Sequence, residues 1–158
     1  MPCQMVDSFG RPVTGLRIAL TPRCNLKCIY CHHEGEVMPK KEIPDEMVVN
    51  VARAAAELGV RSLKFTGGEP LLRKDLADLI SQMPQDLDIS LTTNGILLAD
   101  QADSLAKAGL DRVNVSLDSL DPEKYCAITG GKIGDLERVL AGIDAAKEAG
   151  LVPIKLNV

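Results

Sequence analysis

The sequence predicts an α/β chain built on a parallel sheet, and three observations carry that prediction. Short β-rich runs alternate with segments of helical periodicity. Three helix ends share one glycine signature. The residues of unusual chemistry all fall at or just past the carboxyl ends of the β-rich runs.

In chain order, the β-rich runs are Leu16–Leu20, Ser62–Phe65, Asp88–Leu91, Arg112–Leu117 and Val152–Val158. Between them, Met47, Val48, Val51, Ala55 and Leu58 recur at spacings of three and four, which predicts an amphipathic helix. Leu76, Leu79, Ile80 and Met83 predict a second, and Leu136, Val139, Leu140, Ile143 and Ala146 a later one. Asp45 and Asp100 are expected as N-caps, and Asp121 followed by Pro122 opens a further helical turn. Gly59, Gly109 and Gly150 each follow a helical segment and precede an apolar residue and a strand. Glycine there can take the left-handed conformation that closes a helix. Strands and helices alternating at this spacing imply right-handed crossovers, in a sheet either doubly wound or curled toward a barrel.

At 158 residues, the chain is long enough for one domain with a core. Its 46% apolar and 25% charged content is that of an ordinary soluble protein, and no apolar run approaches the roughly 20 residues of a membrane span. The net charge of −4 argues against a nucleic-acid surface. The aromatics Phe9, Tyr30, Phe65 and Tyr125 are too few for a base-stacking platform. Five cysteines, an odd count, together with an N-terminus lacking an apolar leader, predict reduced thiols and a cytoplasmic location.

Cys24, Cys28 and Cys31 are crowded into eight residues as CxxxCxxC, with Tyr30 before the last thiol. Three thiolates from one loop can hold three irons of a [4Fe-4S] cluster and leave the fourth open to a ligand. The same cysteines with His32 and His33 could instead form a Cys3His zinc site, although structural zinc sites usually draw on two separated ligand pairs. Cys3 and Cys126 lack ligand-spaced companions and read as bystanders.

The cysteine loop follows the first strand, Thr66-Gly67-Gly68-Glu69-Pro70 the second, and Thr92-Thr93-Asn94-Gly95 the third. Ser116, Leu117 and Asp118 end the fourth, and Lys155 and Asn157 lie in the fifth. Parallel α/β folds bind ligands at the carboxyl ends of their strands. Taken singly, each segment also has a plain reading: Gly-Gly and Asn-Gly are common turns, and Asp118 could cap the turn before Asp121. Lys64 and Lys155 stand in apolar strands, where a charge needs a partner unless it lies on the polar face of an edge strand. The chain stops at Val158 inside an apolar strand, so a fragment or truncated relative of a longer protein is expected.

These residues resemble the radical S-adenosylmethionine enzymes, through CxxxCxxC with Tyr30, the Gly67–Pro70 run and the strand–helix rhythm. Within them the resemblance is strongest to the GTP 3′,8-cyclases of molybdenum cofactor biosynthesis. It rests on Leu16–Cys28, Thr66–Leu76, Leu91–Gly95 and Asp111–Pro122. It implies a partial TIM-like barrel of six βα units, of which this chain would supply four and a fifth strand. Residues 1–158 would then be an incomplete core domain.

The resemblance further implies that Cys24, Cys28 and Cys31 hold the [4Fe-4S] cluster and that S-adenosyl-L-methionine chelates its open iron. Tyr30, Gly68 and Ser116 match positions that contact this cofactor; core packing is the plain reading of Tyr30. Arg17, Lys64, Thr92 and Lys155 match positions that contact GTP. Lys64 stands where many relatives carry arginine, and His32-His33 replaces a common Met-Pro pair. The implied activity is that of a lyase: a 5′-deoxyadenosyl radical takes hydrogen from C3′ of GTP, and the sugar closes onto C8. No residue of this segment is expected to act as a catalytic acid or base. A low-potential electron donor and GTP are the implied partners, a homodimer is compatible, and nucleic acid and membrane are excluded. The second [4Fe-4S] cluster and the double-glycine tail of such enzymes would lie beyond residue 158, leaving this fragment inactive on GTP. A peptide- or haem-modifying radical enzyme and a non-catalytic zinc or iron-sulfur module are the alternatives.

Overall fold

The structure is a computed structural model that describes residues 4–31 and 42–158. Cys3, His32 and His33 lie outside the described residues, and so does the Cys3His alternative that needs them. The strands are β1 (Gly15–Ala19), β2 (Ser62–Thr66), β3 (Asp88–Thr93), β4 (Arg112–Ser116) and β5 (Lys155–Asn157). The helices are α1 (Asp45–Glu57), α2 (Leu76–Ser81), α3 (Leu98–Lys107), α4 (Pro122–Thr129) and α5 (Asp135–Glu148), with a 3-10 turn at Pro70–Leu72.

All five strands are parallel and lie in the order β1-β2-β3-β4-β5. A doubly wound sheet reverses its strand order partway. Here each right-handed crossover steps in the same direction, so every crossover helix falls on the same face. This is the partial-barrel alternative. Ile18, Leu63, Phe65, Ile89, Leu91, Val113 and Val115 form the helix-covered face and are buried. The alternate residues Arg17, Lys64, Ser90 and Arg112 stand in one row across the opposite face. The period of two along each strand thus separates an apolar exterior from a polar interior.

Gly59, Gly109 and Gly150 follow α1, α3 and α5 with φ of 93°, 104° and 81°, so the predicted stop signals operate. Asp121 caps α4 as expected: its Oδ1 accepts from the N–H of Glu123 (3.0 Å) and Lys124 (3.1 Å). Two other predicted caps are corrected. Pro44 occupies the cap of α1 and Leu97 that of α3, and neither makes a side-chain capping bond. Asp45 and Asp100 sit inside the first turns, where they oppose the positive end of the helix dipole.

The predicted apolar stripe of α1 is also shifted. Val48, Val49, Ala52 and Ala55 face the core, whereas Met47, Val51 and Leu58 are exposed. Small alanines extend the buried face sideways, so apolar spacing alone selected a neighbouring stripe. The stripes of α2 and α5 are buried as predicted, apart from Leu140. β5 is shorter than the predicted Val152–Val158 because Pro153 has no N–H for the ladder, and the strand begins at Lys155.

Val48→Ala is expected to cost about 2 kcal/mol from lost burial and a residual cavity. Val51→Ala is expected to be neutral or slightly stabilising, since alanine is the better helix former. Chemical denaturation of the two variants checks which face of α1 the core uses.

Candidate active site at the carboxyl rim of the sheet

The cysteine loop, residues 20–31, is held by all three of the loops that follow β2, β3 and β4. After β2, the Gly68 N–H donates to the Thr21 carbonyl and the Glu69 N–H to the Arg23 carbonyl, both at 2.7 Å. This contact requires glycine: a Cβ on Gly68 would stand 2.6 Å from the Arg23 carbonyl carbon and 2.8 Å from the Pro22 oxygen. After β3, Asn94 Nδ2 donates to Asn25 Oδ1 at 2.7 Å. After β4, the Lys27 and Ile29 N–H groups donate to the carbonyls of Thr129 and Ile128 at 2.9 Å, closing the loop onto the last turn of α4.

Cys24 and Cys31 are exposed, Cys28 is half-buried, and Cys126 is a half-buried thiol packed against the core. Partial desolvation pushes the Cys24 thiol up, with Glu69 and Cys31 adding to the effect. Cys28 is raised by the same cause, and the charges of Asp118, Cys24 and Cys31 push it further. The three thiols are therefore within electrostatic reach of one another, although among the described residues no three Cys, His, Asp or Glu side chains already converge to ligand distance. Ionising the set gathers like charge near two carboxylates, an arrangement that calls for a cation between the sulfurs. That donor chemistry fits an iron cluster.

Tyr30 is half-exposed rather than packed in the core, and its hydroxyl donates to Asp118 Oδ2 at 2.9 Å. Burial and this bond push its pKa up and keep it protonated. Asp118 therefore bonds Tyr30, and the Asp121 N–H donates to Ser119 Oγ at 3.0 Å, so the plain reading of Asp118 as a cap of that turn does not hold. The Tyr125 hydroxyl, buried in α4, has no hydrogen-bond partner among the described residues.

Arg17 and Lys64 are direct neighbours across β1 and β2. One step toward the rim on the same face, Thr92, Asn114 and Lys155 share a second row, and Ser116 and Asn157 share the next. The predicted positions Arg17, Lys64, Thr92, Ser116 and Lys155 thus line one polar face of the sheet. Lys64 lies in an interior strand, which corrects the edge-strand reading. Lys155 does lie on the edge strand β5 and is exposed. Among the described residues neither Arg17 nor Lys64 has an ion-pair partner.

The sequence model of the radical SAM superfamily matches residues 18–158. This chain belongs to the radical SAM superfamily. It is 59% identical over 152 residues to a probable GTP 3′,8-cyclase of Archaeoglobus fulgidus, covering 96% of this chain and 51% of that protein. It is 54% identical over 159 residues to a probable GTP 3′,8-cyclase of Methanosarcina mazei, covering 98% and 48%. The chain spans about half the length of the curated relatives it matches. Among solved structures, Streptococcus suis SuiB bound to precursor peptide SuiA superposes with a TM-score of 0.77 at 24% identity, over 91% of this chain and 32% of that one. The hydrogenase maturase HydG superposes at 0.71 and 17%, over 90% and 34%. Among the described residues no helix is long and apolar enough to cross a membrane.

Asn25, Asn94 and Asp118 carry the ties of the rim but were not singled out as site residues from the sequence. Each sits in or beside a motif that was, yet their partners lie 69 and 88 residues away and no spacing rule reports that pairing. Beneath the Gly67–Pro70 turn, the buried Arg73 bonds Asp75 at 2.8 and 3.1 Å and pairs with Asp45, joining the turn to the start of α1.

The Arg73 hydrogen bonds hold the Asp75 carboxyl below its ordinary value of 3.8. A depressed folded-state pKa stabilises the fold above the unfolded value, and that contribution is lost as pH falls through the folded one. Asp75→Asn is therefore expected to destabilise the protein at pH 7 and to converge toward wild type below about pH 4. Denaturation midpoints measured from pH 7 to pH 2 check the sign.

Proposed function

We propose that residues 1–158 form the radical SAM core portion of a GTP 3′,8-cyclase acting in the first step of molybdenum cofactor biosynthesis. The observation that carries this reading is the register. Four positions matched to GTP contacts and one matched to a cofactor contact lie on a single sheet face, and the cysteine loop stands at the carboxyl rim of the same sheet. Similarity to probable GTP 3′,8-cyclases along nearly the whole chain supports it. The peptide-modifying alternative has only the shared fold behind it.

In this reading Cys24, Cys28 and Cys31 hold a [4Fe-4S] cluster, while Tyr30, Gly68 and Ser116 border S-adenosylmethionine. When bound, the cluster and S-adenosylmethionine would supply the radical chemistry for hydrogen abstraction from a substrate. The protein positions the reactants. Arg17 and Lys64 present adjacent cations to the triphosphate, where charge-assisted hydrogen bonds are stronger than neutral ones. Thr92 and Lys155 extend that surface toward the rim, so the sugar would lie nearest the cluster. The backbone clamp on the cysteine loop fixes the distance between cluster and sheet. A second cluster, a low-potential electron donor and a cytoplasmic setting belong to the same proposal, and the remaining half of the protein would be needed for turnover on GTP.

Electron paramagnetic resonance of the anaerobically reconstituted, reduced chain is expected to show a four-iron signal that changes when S-adenosylmethionine is added. Cys28→Ser should abolish it and Cys126→Ser should leave iron content intact; equal loss in both would refute the ligand assignment. Bound zinc without labile sulfide would return the loop to a structural role.

Lys64→Ala should weaken GTP binding about tenfold, the usual scale for one charged hydrogen bond. Equilibrium dialysis with labelled GTP measures it, and an unchanged affinity would remove Lys64 from the substrate surface.

A further inference from the structure

The carboxylate of Glu69 is fully buried, although it stands in the most exposed-looking turn of the rim. Its Oε1 accepts from the Leu71 N–H at 3.0 Å and from Thr93 Oγ1 at 2.8 Å, and its Oε2 accepts from the Asn94 N–H at 2.7 Å. Three donors offset the cost of burying a carboxylate, and no solvent-facing surface is left for a ligand to approach. The main chain of the same residue donates to the Arg23 carbonyl. Glu69 thus joins the loops after β1, β2 and β3 at one point.

From there the ties run outward. Asn94 is fixed at its backbone by Glu69, and its side-chain Oδ1 accepts from the Ile96 N–H at 3.1 Å. Its Nδ2 is thereby aimed at Asn25 Oδ1. Asn25 lies between Cys24 and Leu26, and the Leu26 N–H points at Cys24 Sγ at 3.4 Å. A shift of the Glu69 carboxylate is passed through two short bonds, Asn94 to Glu69 and Asn94 to Asn25, to the residue next to the first cysteine.

We infer that Glu69 is a positioning residue: through Asn94 and Asn25 its buried carboxylate sets where the cysteine loop stands over the sheet. The spectroscopic part of this inference rests on the cluster reading above. The loop geometry itself does not.

The test uses Asn25→Ala, Asn94→Ala and the double variant, with Glu69→Gln beside them. Asn25 is exposed and Asn94 only partly buried, so their variants fold even where a change at Glu69 does not. Hydrogen exchange of the metal-free chain is read at residues 24–31. Each single variant is expected to speed exchange there about tenfold, with the double variant no faster than either single and β3 and β4 unchanged. Glu69→Gln places an amide N–H₂ against donors that faced a carboxylate oxygen, so it should add faster exchange at residue 71 or 94, whose N–H groups the carboxylate accepts.

On the reconstituted chain, the same asparagine variants should retain iron but broaden the resonance and weaken its response to S-adenosylmethionine. Unchanged exchange, or effects of the two single variants that simply add, would overturn the relay. A wild-type chain with no cluster signal would instead overturn the proposed function, with the exchange data still deciding the relay.

Discussion

Right-handed crossover between parallel strands is the constraint on which this molecule is built. Because the strand order never reverses, each crossover lays its helix on the same side, and one sheet face is sealed by α1, α2, α3 and α5. Leu63, Phe65, Leu91, Val113 and Val115 are essentially inaccessible there. Among the described residues no helix covers the other face, and its side chains are polar. Arg17, Lys64, Ser90, Thr92, Arg112, Asn114, Ser116 and Lys155 fill it, and the Arg112–Asp88 pair closes its amino-terminal end at 2.5 and 2.7 Å. An open polar face is thus a consequence of topology rather than of any one residue.

The rim converts that surface into a site. A cysteine loop standing alone would carry many unpaired backbone groups and would sample many positions. Here its carbonyls at Thr21 and Arg23 are satisfied by the turn after β2, and its N–H groups at Lys27 and Ile29 by the last turn of α4. The side chains of Asn25 and Tyr30 add ties to Asn94 and Asp118. The loop's position relative to the polar face is therefore fixed before any ligand arrives, the condition under which positioning contributes most to a reaction.

Much of this was legible in the chain. The five strands, the glycine stops after α1, α3 and α5, the cap at Asp121 and the cysteine spacing all depend on local rules with a fixed period or offset. The errors were local as well. Asp45 and Asp100 have the chemistry of caps, but the cap positions lie one and three residues earlier, at Pro44 and Leu97. Met47 and Val51 fit the helical period but lie beside the true buried face, because Ala52 and Ala55 carry too little apolar signal to shift the expected stripe.

The sequence by itself determined the α/β class, the three-cysteine motif and the gathering of unusual residues at the strand ends, since these follow from periodicity and spacing along the chain. Only the tertiary structure decided between a doubly wound sheet and a partial barrel, placed Lys64 beside Arg17, and buried Glu69 among Leu71, Thr93 and Asn94. The physical reason is range. Strand order and register arise from packing between segments tens of residues apart, and a hydrogen bond such as Asn94 to Asn25 leaves no periodic trace in the sequence that makes it.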